Sequence, residues 1–480
     1  MSHALTVSPK FRPGLDPGFL PAALWNRRFL AAAEAAGAVP VAIALERTDG
    51  TVSVFRTVAL PHEAGNADLN HRYFERLLKF LLWQKGAYRV TFAGERRIAH
   101  YLQKTYSPAG AQAFDYHFMG EQVYRCPFEM KSVPYDDCPE QREASAPLGR
   151  HLEGYRIGFD LGASDRKCAA VAEGRVVFSQ EVPWTPGVQA DPRYHFDGIH
   201  DSLKRAAAHL PRVDAIGGSA AGVYVNNEVR VGSLYRSVPR PLFDTRVRRL
   251  FLDLQAAWGG VPFEVVNDGE VTALAGSMAL NDGAVLGIAM GSSLAAGYVT
   301  PQGAITTWLN ELAFAPVDYR EDAPADEWSG DRGVGVQYFS QQAVARLLDP
   351  AGIALPREMP FAAELEEVQR MMAAGDARAR KIYETIGVYF GYAIAQFDDF
   401  YDFRNLLALG RVMTGEGGDL ILSVARQVLA VEFPEIAERI CFHIPDENEK
   451  RHGQAIAAAS LPALRTEPRP LGSGELQRSK

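Results

Sequence analysis

The chain has 480 residues, of which 47% are hydrophobic and 22% are charged, and its formal net charge is −8. This composition is typical of a globular protein with several domains, and the negative charge argues against a basic nucleic-acid-binding surface. No apolar run is long enough for a membrane span, and the first residues lack a secretory signal. We therefore expect a cytoplasmic protein that binds neither nucleic acid nor membrane.

The cysteine pattern predicts free thiols. Cys126, Cys138, Cys168 and Cys441 are scattered along the chain, with no Cys-x-x-Cys pair. Scattered single cysteines are typical of a cytoplasmic protein with reduced thiols. A metal site built on Cys126 and Cys138 would need distant partners and is the less favoured alternative.

The first 150 residues predict an α/β region. Asp49 and Gly50 separate two apolar runs within 40–59, which predicts a hairpin. Hydrophobic periodicity then predicts a helix over 73–85, a strand over 88–94 and a helix over 95–106, followed by a turn-rich linker over 135–150.

After the linker a similar order of elements returns. Residues 155–182 predict three strands joined by glycine turns, and a helix over 197–209 and a strand over 213–218 follow. Residues 1–150 are therefore either a shortened copy of this lobe or an unrelated N-terminal extension. Ala44 and Glu46 stand where the lobe has Asp160 and Gly162, so we do not expect catalysis in the first region.

The most informative segment carries Asn267 and Asp268. Val265 and Val266 belong to a buried strand that ends at these two residues, and a helix of small residues follows at once. A carboxylate at a strand end beside a helix N-terminus is well placed to accept a proton from a substrate hydroxyl. The alternative is an aspartate that only caps the helix.

Two strand-then-glycine turns flank that segment in the sequence. One contains Asp160, Gly162, Ala163 and Ser164, and the other contains Gly291, Ser292 and Ser293. Such turns let backbone N–H groups approach phosphates, although a plain hairpin turn is the alternative for the second. A base between two phosphate-binding turns predicts phosphoryl transfer to an alcohol.

The remaining elements complete a second lobe. A helix is predicted over 243–258, and a hairpin over 284–305 is predicted to turn at Pro301-Gln302-Gly303. An irregular acidic stretch over 306–334, helices over 336–348, 361–374 and 376–400, and a buried strand over 406–412 come next. Gly415-Glu416-Gly417-Gly418 then precedes a helix that is predicted to begin at Asp419. The predicted boundaries are 1–150, 151–280 and 281–465, with a disordered tail over 466–480.

These motifs, in this order over residues 155–460, resemble the ROK family of bacterial sugar kinases, which belongs to the actin, hexokinase and Hsp70 superfamily. They are DLGASDRKCAAV, GGSAAGVYVNNEVRVGSLYRSVP, VVNDGEVTALAG, MGSSLAAGYV and LGRVMTGEGGDLIL. The resemblance implies an α/β fold of two RNase H-like lobes around a cleft, the actin-like ATPase architecture, with a mixed five-stranded sheet in each lobe. The N-terminal α/β region would be an addition to it.

The resemblance also implies ATP and Mg²⁺ as cofactors and a small-molecule sugar as substrate. Asp268 would be the general base, and Asn267 would bind a substrate hydroxyl or, alternatively, act only as a turn residue. Asp160 would act on Mg²⁺ through water. The phosphates and the nucleotide would contact Gly162, Ala163, Ser164, Lys167, Gly291, Ser292, Ser293, Gly415, Glu416 and Gly417. Lys167 has a solvated strand residue as its alternative interpretation.

Two departures from the family affect its sugar-binding residues. Glu311 matches a substrate-binding glutamate, but Phe314 stands where relatives have a histidine that also binds zinc. Residues 315–335 contain no Cys or His, so we predict no structural zinc. Arg236 lies where relatives usually carry an asparagine; it would either read an acidic group on the substrate or be a surface arginine.

The sequence thus favours an ATP-dependent carbohydrate kinase. The alternative is a non-catalytic sensor of a sugar or nucleotide on the same scaffold. A DNA-binding repressor is less favoured because the N-terminal region is not basic. The sequence leaves open whether the protein is a monomer or a homodimer.

Overall fold

The computed structural model describes residues 5–63, 65–143, 148–444 and 453–464. The predicted disordered tail over 466–480 lies outside these ranges. The described chain forms an N-terminal extension and two lobes, each with its own sheet. Among the helices of these ranges, none combines the length and apolar character needed to cross a lipid bilayer.

The N-terminal extension is an α/β region around a four-stranded sheet in the order β2-β1-β3-β4. Its hairpin and the two predicted helices are present, although the first of these helices begins at Ala67 and not at 73. The helices Ala22–Ala36 and Ala113–His117 and the strand Glu129–Val133 were not predicted. The elements are α1 (Ala22–Ala36), β1 (Val39–Glu46), β2 (Val52–Ala59), α2 (Ala67–Lys85), β3 (Arg89–Ala93), α3 (Arg96–Thr105), α4 (Ala113–His117) and β4 (Glu129–Val133).

The first lobe has the five-stranded mixed sheet that the resemblance implies, in the order β11-β8-β5-β6-β7. The single helix predicted over 243–258 is instead a π-helical turn over Phe243–Val247 followed by a shorter helix. The elements are β5 (Tyr155–Leu161), β6 (Asp165–Ala172), β7 (Arg175–Pro183), α5 (Pro192–Ala207), β8 (Ala215–Ala220), β9 (Val223–Val225), β10 (Glu228–Val231), α6 (Arg240–Leu242), α7 (Leu250–Ala257) and β11 (Phe263–Asn267).

Helix α8 leads directly out of β11 and connects the two lobes. The sheet of the second lobe has the order β13-β12-β14-β15. The elements are α8 (Asp268–Leu280), β12 (Val285–Met290), β13 (Leu294–Val299), α9 (Gln341–Ala351), α10 (Phe361–Ala373), α11 (Ala377–Asp398), β14 (Asn405–Leu409), α12 (Gly415–Glu432), α13 (Pro434–Arg439), β15 (Cys441–His443) and α14 (Gln454–Ala459).

Two predictions for this lobe were wrong. The hairpin turns at Gly291–Ser293, between Met290 and its partner Leu294, and not at Pro301–Gly303. The turn at Pro301–Gly303 is followed by one isolated antiparallel β-bridge, between Val299 and Ile305, and not by a paired strand. Within the described ranges the sheet of this lobe has four strands, and not the five that the resemblance implies.

The extension and the second lobe share one hydrophobic core, which joins residues of α1, α2 and β1 to those of α9, α11 and α12. The ring of Phe80 in α2 stacks on Phe400 at 3.9 Å between centroids, and Asp16 accepts a hydrogen bond from Tyr389. The extension is thus built into the second lobe.

The strand directions of the extension argue against its being a copy of the first lobe. In the lobe, β5 pairs parallel with β8 across the α5 connection. In the extension, β1 pairs antiparallel with β3 across the α2 connection. The topology therefore supports the alternative of an unrelated extension.

The last helix returns to the first lobe, although its sequence lies within the range predicted for the second. A Cβ on Gly158 of β5 or Gly217 of β8 would collide with carbonyl oxygens of Ala455 and Ala458 in α14. These glycines let the α14 backbone lie directly on the sheet. The two lobes are therefore linked through α8 and again through α14.

The backbone of α8 lies equally close to the second lobe. A Cβ on Gly269 would collide with the carbonyl of Ala296, and one on Gly297 would collide with the carbonyl of Gly269. Neither backbone oxygen can move without shifting α8 or β13. The start of α8 is thereby fixed against β13.

We expect Gly297→Ala to destabilise the protein by roughly 1–3 kcal/mol, as overpacking of a closed core site does. Urea unfolding measures this loss. Gly14→Ala is the control, because a Cβ there would meet no atom within 4 Å. Equal stability of the two variants would contradict the close approach of α8 and β13.

Candidate active site

The candidate site lies where parallel strands of the first lobe end. Asp160 is level with Ser219 in the pairing of β5 with β8, and Asn267 is level with Ala220 in the pairing of β11 with β8. Because the carboxyl ends of parallel strands meet at one edge of a sheet, Asp160 and Asp268 are brought to the same edge. The sequence separates them by more than a hundred residues.

Asn267 is held in place by hydrogen bonds at the start of α8. Its Oδ1 accepts from the Gly269 N–H at 2.7 Å, which makes it the N-cap of the helix. Its Nδ2 donates to the Gly222 carbonyl at 2.9 Å. Asn267 is therefore the cap of the helix, and Asp268, the first residue of the helix, also accepts from the Gly269 N–H through its Oδ1 at 3.0 Å.

Asp160 is buried, and its two carboxylate oxygens have different surroundings. Oδ1 accepts a hydrogen bond from the Ser219 hydroxyl at 2.6 Å. Oδ2 lies 3.9 Å from the Lys167 ammonium, which is 3.4 Å from Asp165. Burial raises the pKa of Asp160 above its usual value. Among the residues that the structure describes, none forms a hydrogen bond with Oδ2, and a water-mediated Mg²⁺ contact would need such a free oxygen.

Burial raises the pKa of Asp268 to about 6, and the charge of Asp160 contributes to the increase. Two nearby carboxylates disfavour each other's ionised form. Asp268 thereby becomes a stronger base than a solvated aspartate and is still largely ionised at neutral pH.

Glu311 joins the same cluster from the second lobe. Its Oε1 lies 3.5 Å from Asn267 Nδ2. Burial raises the pKa of Glu311 to about 8, with the charge of Asp268 contributing. We call Asp160, Asp268 and Glu311, with Asn267 among them, the acidic cluster.

Both predicted phosphate turns are exposed tips of hairpins. The Gly162 N–H donates to the Asp165 carbonyl and the Gly291 N–H to the Ser293 carbonyl, each at 2.9 Å. Ala163, Ser164, Ser292 and Ser293 are exposed. The two turns therefore have similar backbone closures, one in each lobe.

The glycines around 415 have a structural explanation of their own. Helix α12 begins at Gly415 and not at the predicted Asp419. A Cβ on Gly417 would collide with the Tyr383 ring, and one on Gly418 with the Met413 carbonyl. Gly415 and Glu416 stay exposed at the helix N-terminus. Because β12 and β14 are parallel neighbours, this loop lies at the same sheet edge as the Gly291 turn.

Arg236 and Phe314, which stand at predicted sugar-binding positions, contact parts of the protein outside the acidic cluster. Arg236 is exposed, and its Nε donates to the Gly187 carbonyl at 3.2 Å, which supports the interpretation as a surface arginine. The Phe314 ring packs 4.6 Å from Trp83 and 4.9 Å from Trp328 between centroids. Phe314 is thus part of an aromatic cluster with the extension.

Sequence reasoning missed Ser219, Tyr224, Glu270 and Asn310. Tyr224 is a neighbour of the acidic cluster: burial raises its pKa far above the usual value, and the charges of Asp268 and Glu311 contribute. Ser219 and Tyr224 lie within the motif GGSAAGVYVNNEVRVGSLYRSVP and Glu270 within VVNDGEVTALAG, so the motifs carried a signal for these three without indicating their contacts. Asn310 lies outside the quoted motifs, and its contacts join distant segments.

A cavity of about 430 Å³ adjoins the acidic cluster at Asn267 and is also lined by Gly222 and Tyr224. Its walls come from both lobes and from the extension, including Arg47 and Tyr124. Cavities of this size at domain junctions commonly hold small ligands.

Within the described ranges, no group of three or more His, Cys, Asp or Glu side chains has an arrangement that could hold a metal ion. All four cysteines are free thiols.

Comparison with solved structures identifies the fold. A ROK hexokinase from Thermus thermophilus matches with a TM-score of 0.51 at 17% identity, over 64% of this chain and 97% of that one. A ROK family transcriptional regulator, a homolog of the E. coli MLC protein, matches with a TM-score of 0.50 at 17% identity, over 65% of this chain and 79% of that one. No protein-family model and no curated protein sequence matches. The chain therefore has the ROK fold, which both an enzyme and a regulator share.

We expect Asp268→Asn to raise the stability of the protein at pH 7.5 by on the order of 1 kcal/mol, because it removes a desolvated charge that Asp160 repels. The folded-state pKa of Asp268 is raised to about 6, so its cost to stability develops as the pH rises from the ordinary aspartate value to about 6. The gain should therefore shrink at pH 5, where the native carboxyl is protonated.

Thermal melts at pH 5 and pH 7.5 measure this difference. Asp253→Asn, on the exposed surface of α7, is the control. A gain for Asp268→Asn that is the same at both pH values would contradict the raised pKa.

Proposed function

We propose that this chain is a divergent ROK protein and an ATP-dependent kinase that phosphorylates a sugar hydroxyl, with Asp268 as general base. The main support is the position of Asp268 beside Asp160 at one sheet edge, with each lobe contributing a glycine turn. A base next to a metal-binding carboxylate is what in-line phosphoryl transfer to an alcohol needs.

In this reaction the acceptor oxygen attacks the γ-phosphorus while the bond from that phosphorus to the ADP oxygen breaks. The hydroxyl proton passes to a carboxylate oxygen of Asp268. Mg²⁺ would neutralise phosphate charge, and Asp160 Oδ2 would hold it through water. Gly162, Ala163, Ser164, Gly291, Ser292 and Ser293 would donate to phosphate oxygens, with Lys167 as a nearby cation.

The nucleotide end of the site would lie in the second lobe. The Gly291 turn and the exposed start of α12, with Gly415 and Glu416, share one sheet edge. A helix N-terminus with free N–H groups is favourable for a phosphate or ribose. We assign Gly417 to helix packing in addition to any nucleotide contact.

The acceptor would bind between Asn267 and Glu311. With its pKa raised to about 8, Glu311 is mostly protonated at neutral pH and can donate as well as accept a hydrogen bond. The negative charge of Asp160 and Asp268 repels an anionic acceptor, and Arg236 bonds to the Gly187 carbonyl on the surface. We therefore propose a neutral or amino sugar, and not the acidic sugar that Arg236 suggested.

A non-catalytic sugar or nucleotide sensor is the second candidate. The likeness to a ROK transcriptional regulator favours it. Its site would bind the same ligands without turnover, so measurements of ADP release separate the two functions.

We expect ADP release from ATP and Mg²⁺ with at least one neutral hexose or amino sugar. Asp268→Asn should lower that rate by about 10²–10⁴-fold, because proton transfer in the transition state contributes that much. A coupled ADP assay across hexoses, amino sugars, sugar acids and polyols measures this, with Asp253→Asn as control. Sugar binding without turnover in the wild type would favour the sensor.

We expect the rate to rise with pH through a single ionisation near 6, since Asp268 accepts a proton only when ionised and its pKa is raised to about 6. The residual rate of the Asp268→Asn variant should not show this rise with pH. Initial rates between pH 5 and 8 at saturating ATP give the profile. A rise of the rate centred near pH 4, or a rise that persists in the Asp268→Asn variant, would point to another base.

A further inference from the structure

The backbone on either side of Glu311 is held by the N-terminal extension. The N–H of Asn310 donates to the Gln84 carbonyl and the N–H of Glu311 to the Trp83 carbonyl, each at 2.9 Å. Both carbonyls belong to the last turn of α2. An α-helix leaves its last carbonyls without intrahelical partners, so α2 and the Glu311 segment complete each other's backbone hydrogen bonding.

The last turn of α2 is itself firmly anchored. Lys79 and Asp115 form a fully buried ion pair at 2.8 Å, and Lys79 also contacts Asp331 of the second lobe. The Trp83 indole N–H donates to Asp115 at 3.0 Å. Paired buried charges of this kind are costly to break, so α2 offers the Glu311 segment a rigid support.

Asn310 connects this support to helix α8. Its Nδ2 donates to Glu270 in the first turn of α8, next to Asp268. Its Oδ1 accepts from the Tyr401 hydroxyl at 2.8 Å. Glu270 also accepts from the Tyr298 N–H at 3.3 Å. Asn310 and Glu270 are both buried, so each bond would leave an unsatisfied polar atom if it were lost.

The backbone of Asn310 suits this task. Its φ is +50°, in the left-handed region that asparagine tolerates better than most residues. This conformation turns the chain so that the N–H groups of Asn310 and Glu311 reach α2 in succession. The same turn leaves the Glu311 side chain 3.5 Å from Asn267.

We infer that Asn310 is a positioning residue, which ties helix α2 of the extension to the first turn of α8 and thereby holds Glu311 at the acidic cluster. The extension then helps to fix the geometry of the acceptor site. Asn310 does not touch the substrate; it acts through Glu311. The kinetic readout of the test rests on the proposed kinase function, whereas the hydrogen-exchange readout does not.

The test uses three single variants of the full chain. Asn310→Gly keeps a residue suited to positive φ and keeps both backbone bonds to α2, but removes both side-chain bonds. Tyr401→Phe removes one of those bonds and is the milder variant if Asn310→Gly folds poorly. Tyr73→Phe is the matched control, because its buried hydroxyl bonds to Thr57 within the extension at 2.9 Å.

The first readout is amide hydrogen exchange over residues 306–314, which needs no ligand. We expect exchange at Asn310 and Glu311 to accelerate about tenfold in Asn310→Gly, less in Tyr401→Phe, and not in Tyr73→Phe. Equal exchange in Asn310→Gly and the control would overturn the inference, whether or not the protein is a kinase.

The second readout uses the neutral hexose or amino sugar with the highest rate of ADP release. Asn310→Gly should raise its KM about fivefold to tenfold and leave the KM for ATP unchanged, because the lost bonds position a sugar contact. In a Glu311→Ala background the same change should add no further rise. An equal rise in both backgrounds, or in both KM values, would mean a general structural role and contradict the inference.

If the wild type turns over none of the sugars, the kinase proposal fails while the exchange data still decide the role of Asn310. If turnover is found and exchange is unaffected by Asn310→Gly, the kinase proposal stands and this inference falls.

Discussion

The close packing of the first turn of α8 is the constraint on which the rest of the site depends. Gly269 and Gly297 let α8 and β13 approach until their backbones touch, and Asn267 caps the helix on the side of the first lobe. Asp268 is thereby fixed between the sheet of the first lobe and β13. A side chain at either glycine would displace the first turn of α8 and Asp268 with it.

That fixed position gathers carboxylates that repel one another. Burial raises the pKa values of Asp160, Asp268 and Glu311, and the charge of a neighbouring carboxylate in the cluster adds to the increase for Asp268 and Glu311, so the ionised cluster costs the folded state free energy. Lys167 and the Ser219 hydroxyl offset only part of this cost. Such stored electrostatic strain is typical of sites where a metal ion, a substrate proton or polar hydroxyls complete the charge balance.

The extension packs against the irregular stretch that follows Glu311 in the second lobe. Phe314 packs against Trp83 of α2, and the Lys79–Asp115 pair reaches Asp331 in the segment that follows. The irregular stretch after Glu311 is therefore ordered by contacts with the extension. The extension packs into one hydrophobic core with α9, α11 and α12. Independent folding of the extension and of the second lobe would expose this core and is therefore energetically unfavourable.

The sequence by itself determined the elements whose signals are local. The Asp49-Gly50 hairpin, the strand that ends at Asn267 and the two glycine turns follow from turn chemistry and hydrophobic periodicity, and the order of motifs indicated the ROK fold. The tertiary structure alone decided what depends on distant contacts. It placed Arg236 on the surface and Phe314 in an aromatic cluster, and joined Asn310 to α2. The physical reason is that periodicity reports burial along one element, whereas the partner of a buried polar group is chosen by packing between elements.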